Sequence, residues 1–129
     1  SMRSSTVLAL LISLTAAFLI GQSNSQAQHL TPVPSGITTD VVTRVVRTRQ
    51  RAANQCYAQA ARGRADVATE ITMQFVIEPN GTTSHITFDA TVYNFNLGSC
   101  LGRLIATMTF PAPRGGQTVT TTYPFDFSR

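Results

Sequence analysis

The chain has no lysine and no tryptophan, and only 12% of its 129 residues are charged. All ten positive side chains are therefore arginines. The net charge is +4, or +3 without Arg3, and the arginines do not form the dense basic runs of nucleic-acid binders. The aromatic residues fall mostly at positions expected to be buried, so no stacking platform for bases is expected either. Histidine is almost as scarce, with only His29 and His85. Two histidines and two cysteines far apart offer no cluster at metal-ligand spacing, so neither a metal nor a cofactor is expected. Gly98-Ser99-Cys100-Leu101-Gly102 fits no phosphate cradle. Finally, no apolar run reaches the roughly 20 residues that a membrane-spanning helix needs.

A shorter apolar run is present, from Val7 to Ile20, between the lone charge of Arg3 and the polar stretch Gln22–Gln26. Ser25-Gln26-Ala27 then places small residues three apart. A charged start, a short apolar centre and a small-residue exit describe a secretory signal, with cleavage expected near Ala27. An uncleaved membrane anchor is the rival reading. Ser1, ahead of Met2, reads as a tag remnant, and residues 1–27 are set apart from the fold. Residues 28–38 contain Pro32, Pro34 and Gly36 and are expected to form an extended linker. Residues 39–129 are expected to form the domain.

A core built from about 100 residues is modest, and small domains gain from a cross-link. Cys56 and Cys100 are an even pair in a chain expected to reach an oxidising compartment. Bridged, they would close a loop of about 45 residues, a stabilisation of roughly 4 kcal/mol in the chain-entropy treatment. Two buried free thiols are the alternative.

Hydrophobic spacing predicts the elements. Thr38 or Thr39 offers a helix N-cap, and Val42, Val46, Arg49, Ala53, Cys56 and Ala60 recur at intervals of three and four as far as Gly63. Arg44, Arg47 and Arg51 lie on the opposite face, either as a solvated surface or as a docking stripe for an anionic partner. Ile71, Met73, Phe75 and Ile77 then alternate with polar residues, as in a half-buried strand. Pro79-Asn80-Gly81 signals a turn, and a second strand is expected with Ile86, Phe88, Ala90 and Val92 inward. Asn96 is the expected N-cap of a second helix carrying Cys100, Leu101, Leu104, Ile105 and Met108. The last strand is expected from about Gln117 to Phe127, with Val119, Thr121, Tyr123, Phe125 and Phe127 on one side.

Pro124 lies inside that strand. A proline cannot donate to a ladder, so the strand should be an edge. Alternate residues direct their backbone groups to opposite neighbours. If Pro124 faces the open side, Thr118, Thr120 and Thr122 face it too. Pro124 either leaves a gap that an added strand must skip or guards the edge against aggregation.

The landmarks Cys56-Tyr57, Ile77-Glu78-Pro79-Asn80-Gly81, Cys100, Phe110-Pro111-Ala112-Pro113, Gly115-Gly116 and Tyr123-Pro124-Phe125 together resemble the AgmX/PglI C-terminal domain family, a variant of the TonB C-terminal domain. The resemblance runs from about Asp40 to Phe127. It implies an α+β domain: a three-stranded antiparallel sheet with two helices packed on one face, here with an interhelix disulfide. It also implies a protein-interaction module of the bacterial envelope that takes up an extended partner segment at the sheet edge. On this chain the partner-binding residues would be Thr118, Thr120, Thr122, Tyr123 and Phe125. The domain resembled usually ends a long, membrane-anchored protein, whereas here about ten linker residues follow the signal. A periplasmic or secreted adaptor is therefore expected, with membrane attachment only if the signal stays on. The alternatives are a structural subunit that self-assembles through the same edge, or an anchored energy-transducing component.

An enzyme is not expected. His85 and Asp89 share the wet side of the expected hairpin, but Ser84 is expected on the other face and no activated nucleophile stands beside them.

Overall fold

The computed structural model describes residues 33–128. The apolar run and the leader reading that rests on it lie outside the described residues. Apart from a three-residue 3-10 turn at Arg114–Gly116, six elements follow in order among the described residues: α1 (Thr39–Arg47), α2 (Gln50–Ala61), β1 (Glu70–Ile77), β2 (Thr83–Thr87), α3 (Phe95–Ile105) and β3 (Val119–Asp126). The strands form one antiparallel sheet in the order β2-β1-β3. The α+β class, the three antiparallel strands and the interhelix disulfide are as expected. The helices number three among the described residues instead of two.

The extra helix comes from a break in the first. Thr38 caps α1, its hydroxyl accepting from the Val41 N–H at 3.2 Å. At the far end the Thr48 hydroxyl donates to the Val45 carbonyl at 2.6 Å, and the Thr48 and Arg49 amides also fold back on Val45 and Val46. A threonine hydroxyl that competes for a helical carbonyl bends or ends the helix. Arg49, placed on the apolar face by spacing, is half-buried; its guanidinium crosses to donate to Thr107 Oγ1 at 3.1 Å.

One face of the sheet is covered. Ile71, Met73, Phe75 and Ile77 of β1 are buried, while Glu70, Thr72 and Gln74 between them are exposed. Against them pack Val42 and Val46 of α1, Ala53, Cys56 and Ala60 of α2, and Leu97, Leu101, Leu104 and Ile105 of α3. The small residues on α2 let α3 approach closely enough for the Cys56–Cys100 bridge, whose Cα atoms lie 5.6 Å apart. Gly98 serves a similar purpose, because a Cβ there would collide with the Phe88 ring.

The second strand is shorter than expected. β2 ends at Thr87, and Ala90 and Val92 are exposed instead of inward. Asn94 diverts the chain: its side-chain oxygen accepts from the Thr91 N–H at 2.7 Å and its nitrogen donates to the Asp89 carbonyl at 2.9 Å. An asparagine that satisfies nearby backbone groups offers the chain a turn in place of a ladder. The helix start also moves, since α3 begins at Phe95 with Asn94, not Asn96, at the cap position.

The linker is only partly a linker. The Ser35 carbonyl accepts from the Arg114 N–H at 2.8 Å, the Gln117 amide donates to the Val33 carbonyl at 2.7 Å, and Ile37 packs on the core. Residues 33–38 therefore belong to the domain, and the expected boundary at residue 39 lies too late.

Candidate functional site

The direction of the β3 edge follows from one bond beside the ladder. The Phe127 N–H donates to the Thr69 carbonyl at 2.7 Å, next to the Glu70–Asp126 pair. Phe125, Tyr123, Thr121 and Val119 then face β1 as well, and Thr120, Thr122 and Pro124 face away. Pro124 stands opposite Thr72, at a position that needs no donor toward β1. No other strand pairs with β3 on its far side among the described residues. The expected orientation is thus present in the ladder.

Side chains on β3 divide the other way. Tyr123 is half-buried and Phe125 is only 2% exposed, while Thr120, Thr122 and Pro124 are open to solvent. Phe125 is consequently a core residue, and its ring cannot be a freely exposed partner contact. Thr118 is exposed but precedes the strand, which begins at Val119.

A trough runs beside this edge, walled on its other side by α1 and the first half of α2. Its larger part, about 590 Å³, is lined by Arg47, Gln50, Asn54 and Tyr57 together with Tyr123–Phe127. The smaller, about 250 Å³, is lined by Thr39, Val42, Thr43 and Arg47 with Thr121–Pro124. Arg47, Tyr123 and Pro124 border both parts, which lie side by side along β3. Its floor is an aromatic series: Tyr57 stacks on Phe127 at 5.0 Å, Phe127 on Phe125 at 5.8 Å, and Tyr123 meets Phe125 edge-on at 4.8 Å.

The three arginines of the stripe do not line one common hollow. Arg44, Arg47 and Arg51 are all exposed, as expected for the outer face. Only Arg47 reaches the trough; Arg44 joins it at an adjoining hollow with Asp40, and Arg51 lines neither. Arg47 makes no hydrogen bond or ion pair with another described residue, where the single salt bridge is Arg64–Asp66 at 3.3 Å. Gln50 and Asn54 are bound to each other, Nε2 to Oδ1, at 2.9 Å. That leaves the Gln50 oxygen and the Asn54 nitrogen with capacity for a further partner.

Spacing read for apolar residues passed over this wall. Arg47, Gln50, Asn54 and Tyr57 are separated by three, four and three positions, the same helical interval that marks the core face. They share a side across the helix break, but three of the four are polar, and apolar periodicity does not register them.

On the open face of the sheet one expectation is overturned. Ser84 does not point away from His85. The β1–β2 ladder slips between Gln74 and Val76, and His85 sits in the bulge at φ 51°. An extra residue turns the chain locally, and here the Ser84 hydroxyl lies 3.0 Å from His85 Nδ1 and donates to Glu78 Oε2. The serine therefore sits between acid and imidazole. A nucleophile relay instead needs the imidazole between acid and hydroxyl. His85 is exposed, and none of the three residues lines the trough. No group of three or more His, Cys, Asp or Glu able to hold a metal occurs among the described residues. Nor, among them, is any helix long and apolar enough to cross a membrane. Comparison of the chain with protein-family models finds no match, and neither does comparison with curated proteins or with solved structures.

Proposed function

We propose that this protein is an exported, non-enzymatic interaction module of the TonB C-terminal-like type, in the AgmX/PglI line of resemblance, and that it binds an extended segment of an envelope protein by strand addition to β3. The observation that carries this reading is the outward direction of Thr120, Thr122 and Pro124 beside an open trough. Two amides and three carbonyls there can meet a partner backbone; Pro124 accepts but does not donate. Strand addition takes its affinity from such main-chain bonds and its specificity from alternate side chains. The trough supplies the side-chain half, with aromatic rings on one wall and polar groups on the other. Export is supported by the Cys56–Cys100 disulfide, which persists in oxidising compartments.

The test is residue-resolved. Titration with extended peptides should shift the amide NMR signals of Thr120 and Thr122 more than those of Tyr123 and Thr121, which face β1. Thr120→Pro removes an outward donor without touching the ladder to β1, and should abolish the shifts while leaving the fold intact. Binding that survives this substitution defeats strand addition. Concentration-dependent growth of the protein without peptide would assign the edge to self-assembly, as in a structural subunit. The non-enzymatic part is tested by His85→Ala, since a phenotype from that change would restore catalysis as a reading.

A further inference from the structure

Two features that look separate along the chain, an open strand edge and an outer-face arginine, meet at one place in the fold. Arg47 stands in the last turn of α1 and borders both parts of the trough, with Tyr123 and Pro124 across from it. It is exposed and has no charge partner among the described residues. Asp126 also borders the trough, where one of its carboxylate oxygens accepts from the Ser128 N–H at 2.9 Å.

Pairing geometry decides which side chains of an added strand would meet Arg47. Residues directly opposite one another in an antiparallel pair project to the same face. Tyr123 and Phe125 project toward the helices, whereas Thr120, Thr122, Pro124 and Asp126 project to the open face. A partner residue opposite Tyr123 would therefore enter the trough below Arg47, Gln50 and Asn54. Partner residues two positions to either side, about 7 Å away, would enter it too. One would meet Thr39 and Thr121 above the buried Val42, the other Tyr57 and Phe127. The intervening residues would lie on the solvated face, where nothing selects them.

We propose that the trough selects an extended segment with an acidic side chain opposite Tyr123 and apolar side chains two residues to either side. This rests on the strand-addition reading above. The acidic group pairs with Arg47, and the Asn54 amide has a donor to spare for its second oxygen. A guanidinium recognises a carboxylate by geometry as well as charge. Because Arg47 is exposed, the pair governs selectivity and association rate more than total affinity.

The experiment uses the 129-residue chain, unreduced, and a phage-displayed library of random decapeptides. Selections run in parallel on wild type, Arg47→Gln, Arg47→Glu and Thr122→Pro, each first shown to unfold at the wild-type midpoint within error. Wild type should enrich the apolar–x–acidic–x–apolar pattern. Arg47→Gln should lose the acidic preference, and Arg47→Glu should exchange it for a basic one, a switch that a merely structural arginine would not produce. Thr122→Pro should enrich nothing. For one selected peptide, Glu→Gln should weaken binding about three- to tenfold in low salt, with the gap closing as salt screens the exposed pair. Peptides lost on Thr122→Pro but indifferent to Arg47 would overturn the acidic selectivity and leave strand addition standing. Peptides that bind Thr122→Pro as well as wild type, or no enrichment on wild type, would overturn both.

Discussion

The sheet has two edges, and they are built differently. β2 is five residues long, broken by a bulge at His85, and followed by a loop that Asn94 pulls away from the strand direction. β3 is eight residues long and pairs with β1 without slippage from Val119 to Asp126. Short, bulged edges resist the addition of another strand, whereas a long regular edge invites it. β3 also has a trough beside it. An edge is thus made available less by lacking a neighbour than by its length, its regularity and what flanks it.

Several substitutions would break or sharpen that contrast. The largest effect should come from removing the staple beneath both edges. Cys56→Ala with Cys100→Ala should lower stability by about 4 kcal/mol, read as a lower urea midpoint in which β2 and β3 signals are lost together. Separate transitions would show that the edges belong to independent units. Next is the turn that feeds β2. Gly81 has φ 90°, and a Cβ there would collide with the Phe110 carbonyl, which belongs to the backbone and cannot rotate aside. Gly81→Val should cost about 3 kcal/mol, and hydrogen exchange should place the loosening at β2 more than at β3.

Smaller effects separate the edges by function. Thr120→Pro should cost under about 1 kcal/mol of stability, because no ladder bond is lost. It should nevertheless weaken peptide binding at least tenfold by titration calorimetry. Smallest of all, His85→Gly should gain about 0.5–1 kcal/mol, since the αL conformation burdens any residue that carries a Cβ and glycine carries none. Its peptide affinity should not change. A loss of affinity on His85→Gly would move the binding edge from β3 to β2.

Much of the β3 edge is legible in the order of residues. Pro124 alone marks the edge and the open direction, because the missing donor can be tolerated on only one side. The β2 edge is not legible in the same way. Alternation from Ile86 to Val92 continues past the point where the strand stops, and nothing in it foretells that Asn94 will satisfy Thr91 and Asp89. The bulge is equally silent, so Ser84 was expected opposite His85 and is found beside it. At the trough, Tyr123 and Phe125 could be assigned to one side of the strand. That Phe125 is buried and Arg47 stands across from Tyr123 could not.

The order of residues by itself determined β1 and β3 and their buried face, the start of the first helix near Thr38, the disulfide partners and the outward direction of Thr120, Thr122 and Pro124. These depend on period, on chain chemistry and on groups a residue possesses or lacks, all of which act locally. Tertiary structure decided the break at Thr48, the docking of residues 33–38, the Ser84–Glu78–His85 contact and the meeting of Arg47 with the β3 edge. Each of these brings together groups whose separation in space depends on how whole elements pack, and on which backbone groups are already satisfied when they do.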